Sequence, residues 1–212
     1  MEPTAKMGLL IGLTGGIASG KSTVAAFLAE NHIPVIDTDQ LSRELVAPGQ
    51  PALTAIVEAF GAAVLQADHQ LDRAALRAIV LDDPQARARL EGILHPPIRR
   101  LAQQRALELA TTHPYVVIVI PLLAEISVYP HYQWLDYIVN VDAQPEQQRA
   151  RLLNRPGIDI QQANQLIQAQ TTDDQRRMVT NFCLDNTGDL PHLKDQIQHL
   201  HHELLKRAAA IP

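Results

Sequence analysis

Two hydrophobic periods alternate along the chain. Leu9-Leu10-Ile11 is an unbroken apolar run, too short for a helix, and reads as a buried strand. A glycine-rich turn follows, and Ser22–His32 then places Val24, Phe27 and Leu28 on one helical face. Pro34-Val35-Ile36 is a second short strand, ending in Asp37-Thr38-Asp39. Tyr115–Ile120, after the His113-Pro114 break, is a run of β-formers that suits a fully buried central strand. Tyr137–Val141 and Phe182–Leu184 supply a fourth strand and a weaker fifth. Helical patterns separate these segments, which predicts βαβ units around a parallel sheet of about five strands, an α/β fold.

The gap between the second and third strands exceeds the dozen or so residues that a crossover needs. It carries helical patterns at Leu53, Ile56, Val57 and Phe60, at Leu76, Ile79 and Val80, and at Ile98, Leu101 and Ala102. Leu41–Thr112 is therefore expected to form a helical subdomain over the sheet's carboxyl edge. Pro145 suits the first turn of another helix. Asp159 with Gln162 three residues on reads as a capping box for the next. A last helix starts near Pro191 and uses Leu193, Ile197, Leu200 and Leu204.

Composition narrows the class. The chain has 212 residues, 46% of them hydrophobic and 19% charged, with a formal net charge of −5. This is globular composition sized for one domain, 1–212, without the basic surplus of a general nucleic-acid binder. Aromatic residues are only 4%, so the core is aliphatic. The single cysteine, Cys183, excludes an intrachain disulfide and a Cys-rich zinc site. The longest apolar runs, Leu9–Leu13 and Val116–Ala124, fall far short of the ~20 residues a membrane span needs. Met1–Lys6 does not read as a signal peptide. A cytoplasmic protein with no membrane or nucleic-acid partner is expected, its oligomeric state open with a monomer favoured.

The sharpest chemical signal is GLTGGIASGKST at Gly12–Thr23, in which Gly15 and then Gly20-Lys21-Ser22 fit G-x-x-x-x-G-K-[ST] between a strand and a helix. Backbone N–H groups of Gly15, Gly16, Ile17, Ala18, Ser19, Gly20, Lys21, Ser22 and Thr23 would wrap a phosphate. The following helix aims its positive end at the anion. Lys21 would reach the terminal phosphates, and the Ser22 hydroxyl would ligate Mg²⁺. A glycine turn that merely caps a helix would not need the lysine and the hydroxyl together. No N-K-x-D exists for reading guanine, and the D-x-x-G at Asp185–Gly188 falls at the last strand, where it reads as a loop. A small-molecule kinase remains, with a helical acceptor-binding insertion and a lid. The expected subregions are a nucleotide-binding core at 8–40, 113–144 and 179–212, an acceptor subdomain at 41–112 and a lid at 145–178.

Asp37 and Asp39 stand at a strand's carboxyl end, the edge where open α/β sheets bind ligands. One of them can accept a proton from the acceptor hydroxyl while the other helps hold Mg²⁺ through water. Alternatively, Asp39 only N-caps a helix beginning at Leu41. Spacing leaves both readings open. The histidines His199, His201 and His202 lie on the C-terminal helix without nearby Cys, which suits a solvated face better than a metal site.

The chain resembles the dephospho-CoA kinases, members of the P-loop kinases. The resemblance rests on Gly12–Thr23, VIDTDQLSR at Val35–Arg43, VAPGQP at Val46–Pro51 and FGAAVL at Phe60–Leu65. Leu71-Asp72-Arg73, LHPPI at Leu94–Ile98, IPLLAE at Ile120–Glu125 and Leu184-Asp185-Asn186 complete the set. It implies transfer from ATP·Mg²⁺ to the ribose 3′-hydroxyl of dephospho-CoA. Asp39 falls on the proposed base, with Asp37 left for Mg²⁺ through water. Arg43, His95 and Glu125 fall on acceptor-side positions, and Arg151 and Arg155 on the lid. If the Pro145 helix continues, those two arginines share one face. His95 also precedes Pro96-Pro97, where a helix is expected to stop. Ala18 stands where the family usually has Gly, so the loop is expected to keep a negative φ there. Thr180-Asn181-Phe182 replaces a frequent Ala-Asp-Asp, which bears on adenine-side contacts. Other P-loop metabolite kinases (nucleoside, nucleotide or shikimate kinases) and a non-catalytic ATP sensor are the competing functions.

Overall fold

The computed structural model describes residues 7–81, 83–121, 123 and 128–211. Strand β1 (Leu9–Gly15) is buried along its whole length, as a central parallel strand must be. It is followed by α1 (Lys21–Glu30), β2 (Val35–Asp37), α2 (Thr38–Leu45), α3 (Pro51–Phe60), α4 (Arg73–Leu81) and α5 (Pro84–Ala110). The remaining elements are β3 (Tyr115–Val119), β4 (Tyr137–Asp142), α6 (Pro145–Leu153), α7 (Ile160–Gln168), α8 (Asp173–Met178), β5 (Phe182–Asp185) and α9 (Leu190–Ala209). The five strands form one all-parallel sheet in the order β2-β3-β1-β4-β5. β1 pairs with β3 from Leu9 opposite Tyr115, and with β4 from Ile11 opposite Tyr137. β4 pairs in turn with β5 from Val139 opposite Phe182. Asn181 extends that ladder: its N–H donates to Ile138 O and its Oδ1 accepts from Ile138 N, each at 2.8 Å.

The chain divides into two compact units, 1–36 with 105–212 and 37–104. In the first, Leu9, Ile11, Leu13, Val117, Val139 and Val141 form a core with Val24 and Leu28 of α1 and Leu193, Ile197, Leu200 and Leu204 of α9. Each such aliphatic side chain contributes about 1.5–3 kcal/mol on burial, which fixes both ends of the β1-to-α1 turn. His201 belongs to this packing rather than to a solvated face: its Nδ1 lies 2.6 Å from the hydroxyl of the fully buried Tyr115. The second unit has its own small core of Val46, Leu53, Ile56, Val64, Leu71 and Leu76. Within the Leu71-Asp72-Arg73 segment, Asp72 Oδ1 accepts from Ala74 N and Ala75 N, so it caps α4.

Two local expectations are corrected and a third is met. α5 runs through Pro96 and Pro97 instead of stopping at His95. Each proline removes one intrahelical donor, but Ile93 and Leu94 pack on one apolar cluster and Ala102, Ala106 and Ala110 are buried, so both arms stay helical. α6 ends at Leu153, with Asn154 as its C-cap. Arg155 precedes Pro156, which disfavours helical backbone at 155, so Arg151 and Arg155 do not share a helix face. The anticipated capping box of α7 is present, with Asp159 Oδ1 accepting from Gln162 N at 2.8 Å.

Candidate active site

The turn from β1 into α1 is built to meet an anion. α1 has Gly20 as its N-cap, no side-chain cap and no acidic residue in its first turn. Nothing within the helix itself therefore offsets its positive end. Gly20 sits at φ +110°, and a Cβ there would come within 2.2 Å of Asn186 Nδ2, so only glycine fits. Lys21 arcs back across the loop, its Nζ donating to Gly15 O at 2.9 Å and to Gly16 O at 2.8 Å. The Ser22 and Thr23 side chains are exposed at the start of α1.

Ala18 overturns the expectation of a negative φ: it stands at φ +54°. The left-handed region costs a non-glycine residue roughly 1–2 kcal/mol, and neighbouring groups hold the loop in that shape. Arg151 of α6 donates through Nη1 to Ala18 O at 3.1 Å and Ser19 O at 3.2 Å, and through Nη2 to Asn186 O at 3.3 Å. Asn186 is buried and donates back through Nδ2 to Ser19 O at 2.6 Å. Ser19 N donates to Gly16 O at 3.2 Å. Arg151, which the resemblance places on the lid, thus braces the backbone that would carry a phosphate.

Two glutamines that sequence reasoning passed over complete the frame. Gln148 of α6 is buried and donates to Ala143 O at 3.1 Å. Gln170, between α7 and α8, accepts from Ile17 N. A glutamine in a polar helical segment carries no sequence signal for such a role. Asn186 had one, because it closes the quoted Leu184-Asp185-Asn186 segment. Asp185 accepts from Thr187 N at 2.9 Å, the loop expected from the D-x-x-G spacing.

The acidic pair resolves differently from the sequence reading. α2 begins at Thr38, and Asp37 is its N-cap: Asp37 Oδ1 accepts from Asp39 N at 2.8 Å. The cap alternative therefore belongs to Asp37. Asp39 lies exposed in the first turn, with Arg43 exposed four residues on, so the two fall on one helix face. His95 is half-buried within α5, Arg155 is exposed, and Glu125 lies outside the described residues.

Near the end of β4, Asp142 pairs with Arg177 of α8 at 3.3 Å and accepts from Cys183 Sγ at 3.1 Å. Burial, then the Asp142 carboxylate, push the Cys183 thiol up to about 12, with Arg177 offsetting only part. Among the described residues no group of three or more His, Cys, Asp or Glu could hold a metal ion. No described helix is long and apolar enough to cross a membrane.

Residues 9–192 match the family model for dephospho-CoA kinase. A dephospho-CoA kinase of Xanthomonas euvesicatoria is 45% identical over 201 residues, covering 95% of this chain and 97% of its own. One of Cupriavidus pinatubonensis is 43% identical over 197 residues, covering 91% and 92%. Among solved structures, TT1252 from Thermus thermophilus superposes with a TM-score of 0.78 at 32% identity, covering 94% of this chain and 99% of that one. At 20% identity, dephospho-CoA kinase from Campylobacter jejuni shares the fold with a TM-score of 0.66 over 93% and 97% of the chains. A phosphate-type loop at the end of a central parallel strand, in a chain so fully covered by these relatives, leaves one conclusion: this chain belongs to the dephospho-CoA kinase family of P-loop kinases.

Proposed function

We propose that this chain transfers the terminal phosphoryl group of ATP to the ribose 3′-hydroxyl of dephospho-CoA, giving coenzyme A and ADP. The observation that carries this reading is likeness to dephospho-CoA kinases along nearly the whole chain, with the loop residues in place. The rest is a division of labour among its residues. The Gly15–Thr23 backbone and the α1 terminus bind and orient the triphosphate. Lys21 exchanges its loop carbonyls for phosphate oxygens and neutralises charge on the transferring group. The exposed Ser22 hydroxyl is a hard oxygen donor suited to Mg²⁺, an ion that phosphates and water hold more than protein does. Bound there, Mg²⁺ would offset the negative charge of the phosphates. With one oxygen committed to its cap, Asp37 keeps the other for a water of that ion.

Asp39 is the candidate base for the 3′-hydroxyl. The N-cap of α2 is Asp37, and the Asp39 carboxylate is exposed one residue inside the helix, where an acceptor can reach it. Arg43, His95 and Glu125 are proposed for the acceptor, with 41–112 as the acceptor subdomain. The segment 145–178 is proposed as a lid that excludes water, with Arg155 as its mobile cation. A cytoplasmic location accords with this chemistry. A panel of acceptors with ATP, read as ADP release, tests the assignment. Dephospho-CoA is expected to be turned over far faster than AMP, cytidine monophosphate or shikimate. Equal turnover of one of these would replace the assignment with another metabolite kinase, and ATP binding without turnover of any would leave a sensor.

A further inference from the structure

Gln170 occupies an unusual place for a side chain from a connecting segment. Its Oε1 accepts the Ile17 N–H, a donor in the middle of the phosphate loop. Its Nε2 donates to Ile167 O at 3.3 Å, which orients the amide with the carbonyl toward the loop. The approach depends on Gly16: a Cβ there would stand 3.1 Å from Gln170 Oε1 and 2.7 Å from Gln148 Nε2. The side chain is half-buried, so it is held in place rather than trailing in solvent.

We propose that Gln170 is a positioning residue that stands in for a phosphate oxygen, holding the Ile17 N–H until a polyphosphate displaces it. This rests on the phosphate-binding reading of the loop. An N–H offers one proton, and a charged phosphate oxygen makes a stronger bond to it than an amide carbonyl does. Loading the loop therefore breaks the Gln170 bond and frees the α7–α8 connection from Ile17. Nucleotide occupancy and the position of that connection become linked, and the linkage is reciprocal. The exchange also subtracts the Gln170 bond from the binding free energy of any phosphate ligand.

The test is titration of the full chain with ATP and with inorganic triphosphate, which engages the loop without base or ribose. Removing the competing acceptor in Gln170→Ala should tighten both by about two- to tenfold, the equivalent of one modest hydrogen bond. Gln170→Met fills the same space without an acceptor and should tighten both likewise, which guards against a packing defect in the alanine variant. Gln170→Glu keeps an acceptor and adds charge facing the phosphates, so both ligands should weaken by roughly tenfold or more. Unchanged or weakened binding in Gln170→Ala and Gln170→Met overturns the proposal, the weakened case making Gln170 a ligand contact instead. Lys21→Ala separates this from the underlying reading. If it abolishes triphosphate binding while the Gln170 variants change nothing, only the displacement idea falls. If it leaves triphosphate binding intact, the loop reading falls and takes the proposal with it.

Discussion

The loop at Gly15–Thr23 and the start of α2 at Asp37–Arg43 each follow a strand of the same sheet, yet they are held in opposite ways. The loop is fixed from several sides: Arg151 and Asn186 hold its carbonyls, Gln170 holds an amide, and Ala18 is kept at φ +54°. At the start of α2 the Asp37 carboxylate accepts the Asp39 N–H at the cap, and the Asp39 and Arg43 side chains are exposed. A group that must meet a transferring phosphoryl gains from a rigid frame, because reorganisation at the moment of reaction is avoided. A group that must accept a proton from an incoming acceptor gains from standing exposed, where that acceptor can reach it. Stability and chemistry should thus be entangled in the loop and separable in α2.

The strongest break of that contrast is Lys21→Ala. Removing the cation that serves the phosphates should lower kcat/KM for dephospho-CoA by about 10³–10⁵, the range for a cation at a transferring phosphoryl group. Next comes Asp39→Asn, which keeps shape but cannot take a proton. Turnover should fall by about 10²–10⁴ while Tm and ATP affinity stay close to wild type; near-normal kcat would remove Asp39 as the base. The companion Asp37→Ala should lower turnover through its role toward Mg²⁺ and, unlike Asp39→Asn, also cost about 1 kcal/mol of stability from the missing cap, read as a Tm lower by roughly 2–4 °C.

Arg151 and Arg155 sharpen the comparison within the proposed lid. Arg151→Ala strips donors from three carbonyls, so kcat should fall together with about 2 kcal/mol of stability. Arg155→Ala, at an exposed site beyond the helix, should lower kcat with Tm unmoved. Identical melting of the two variants would mean that the Arg151 bonds do not brace the loop. The smallest effect is expected for Ala18→Gly. It relieves a left-handed alanine at roughly 1–2 kcal/mol but restores freedom to the unfolded chain at roughly 0.5–1 kcal/mol. A Tm gain of up to about 4 °C with unchanged kcat is the outcome to look for by calorimetry.

The hydrophobic pattern revealed the strands and most helices, because a central parallel strand is buried on both faces and reads as an unbroken apolar run, while a helix buries one face at a period of three to four. The ends of elements were harder. Spacing leaves Asp39 open to a cap or a base, because an acid before a helix is often its cap; the helix starts earlier, and Asp37 is the cap. Arg155 looked helical by spacing alone, and Pro156 decided otherwise. Pro96-Pro97 looked like a stop, but tertiary packing on both arms outweighed two missing donors. Lys21 and Ser22 were visible because phosphate binding dictates residue type at fixed spacing. Gln148 and Gln170 were invisible because their roles depend on where α6 and the α7–α8 connection meet the loop, and a polar helix carries many equivalent glutamines.

The Cys183–Asp142 contact has a consequence for the reactivity of the chain's single sulfur. With its thiol raised to about 12, Cys183 is protonated at neutral pH. Electrophiles and peroxides attack the anion, so an exposed residue on an edge strand is chemically quiet. Thiol-directed alkylating agents should therefore modify Cys183 slowly near pH 7 and faster as the pH rises.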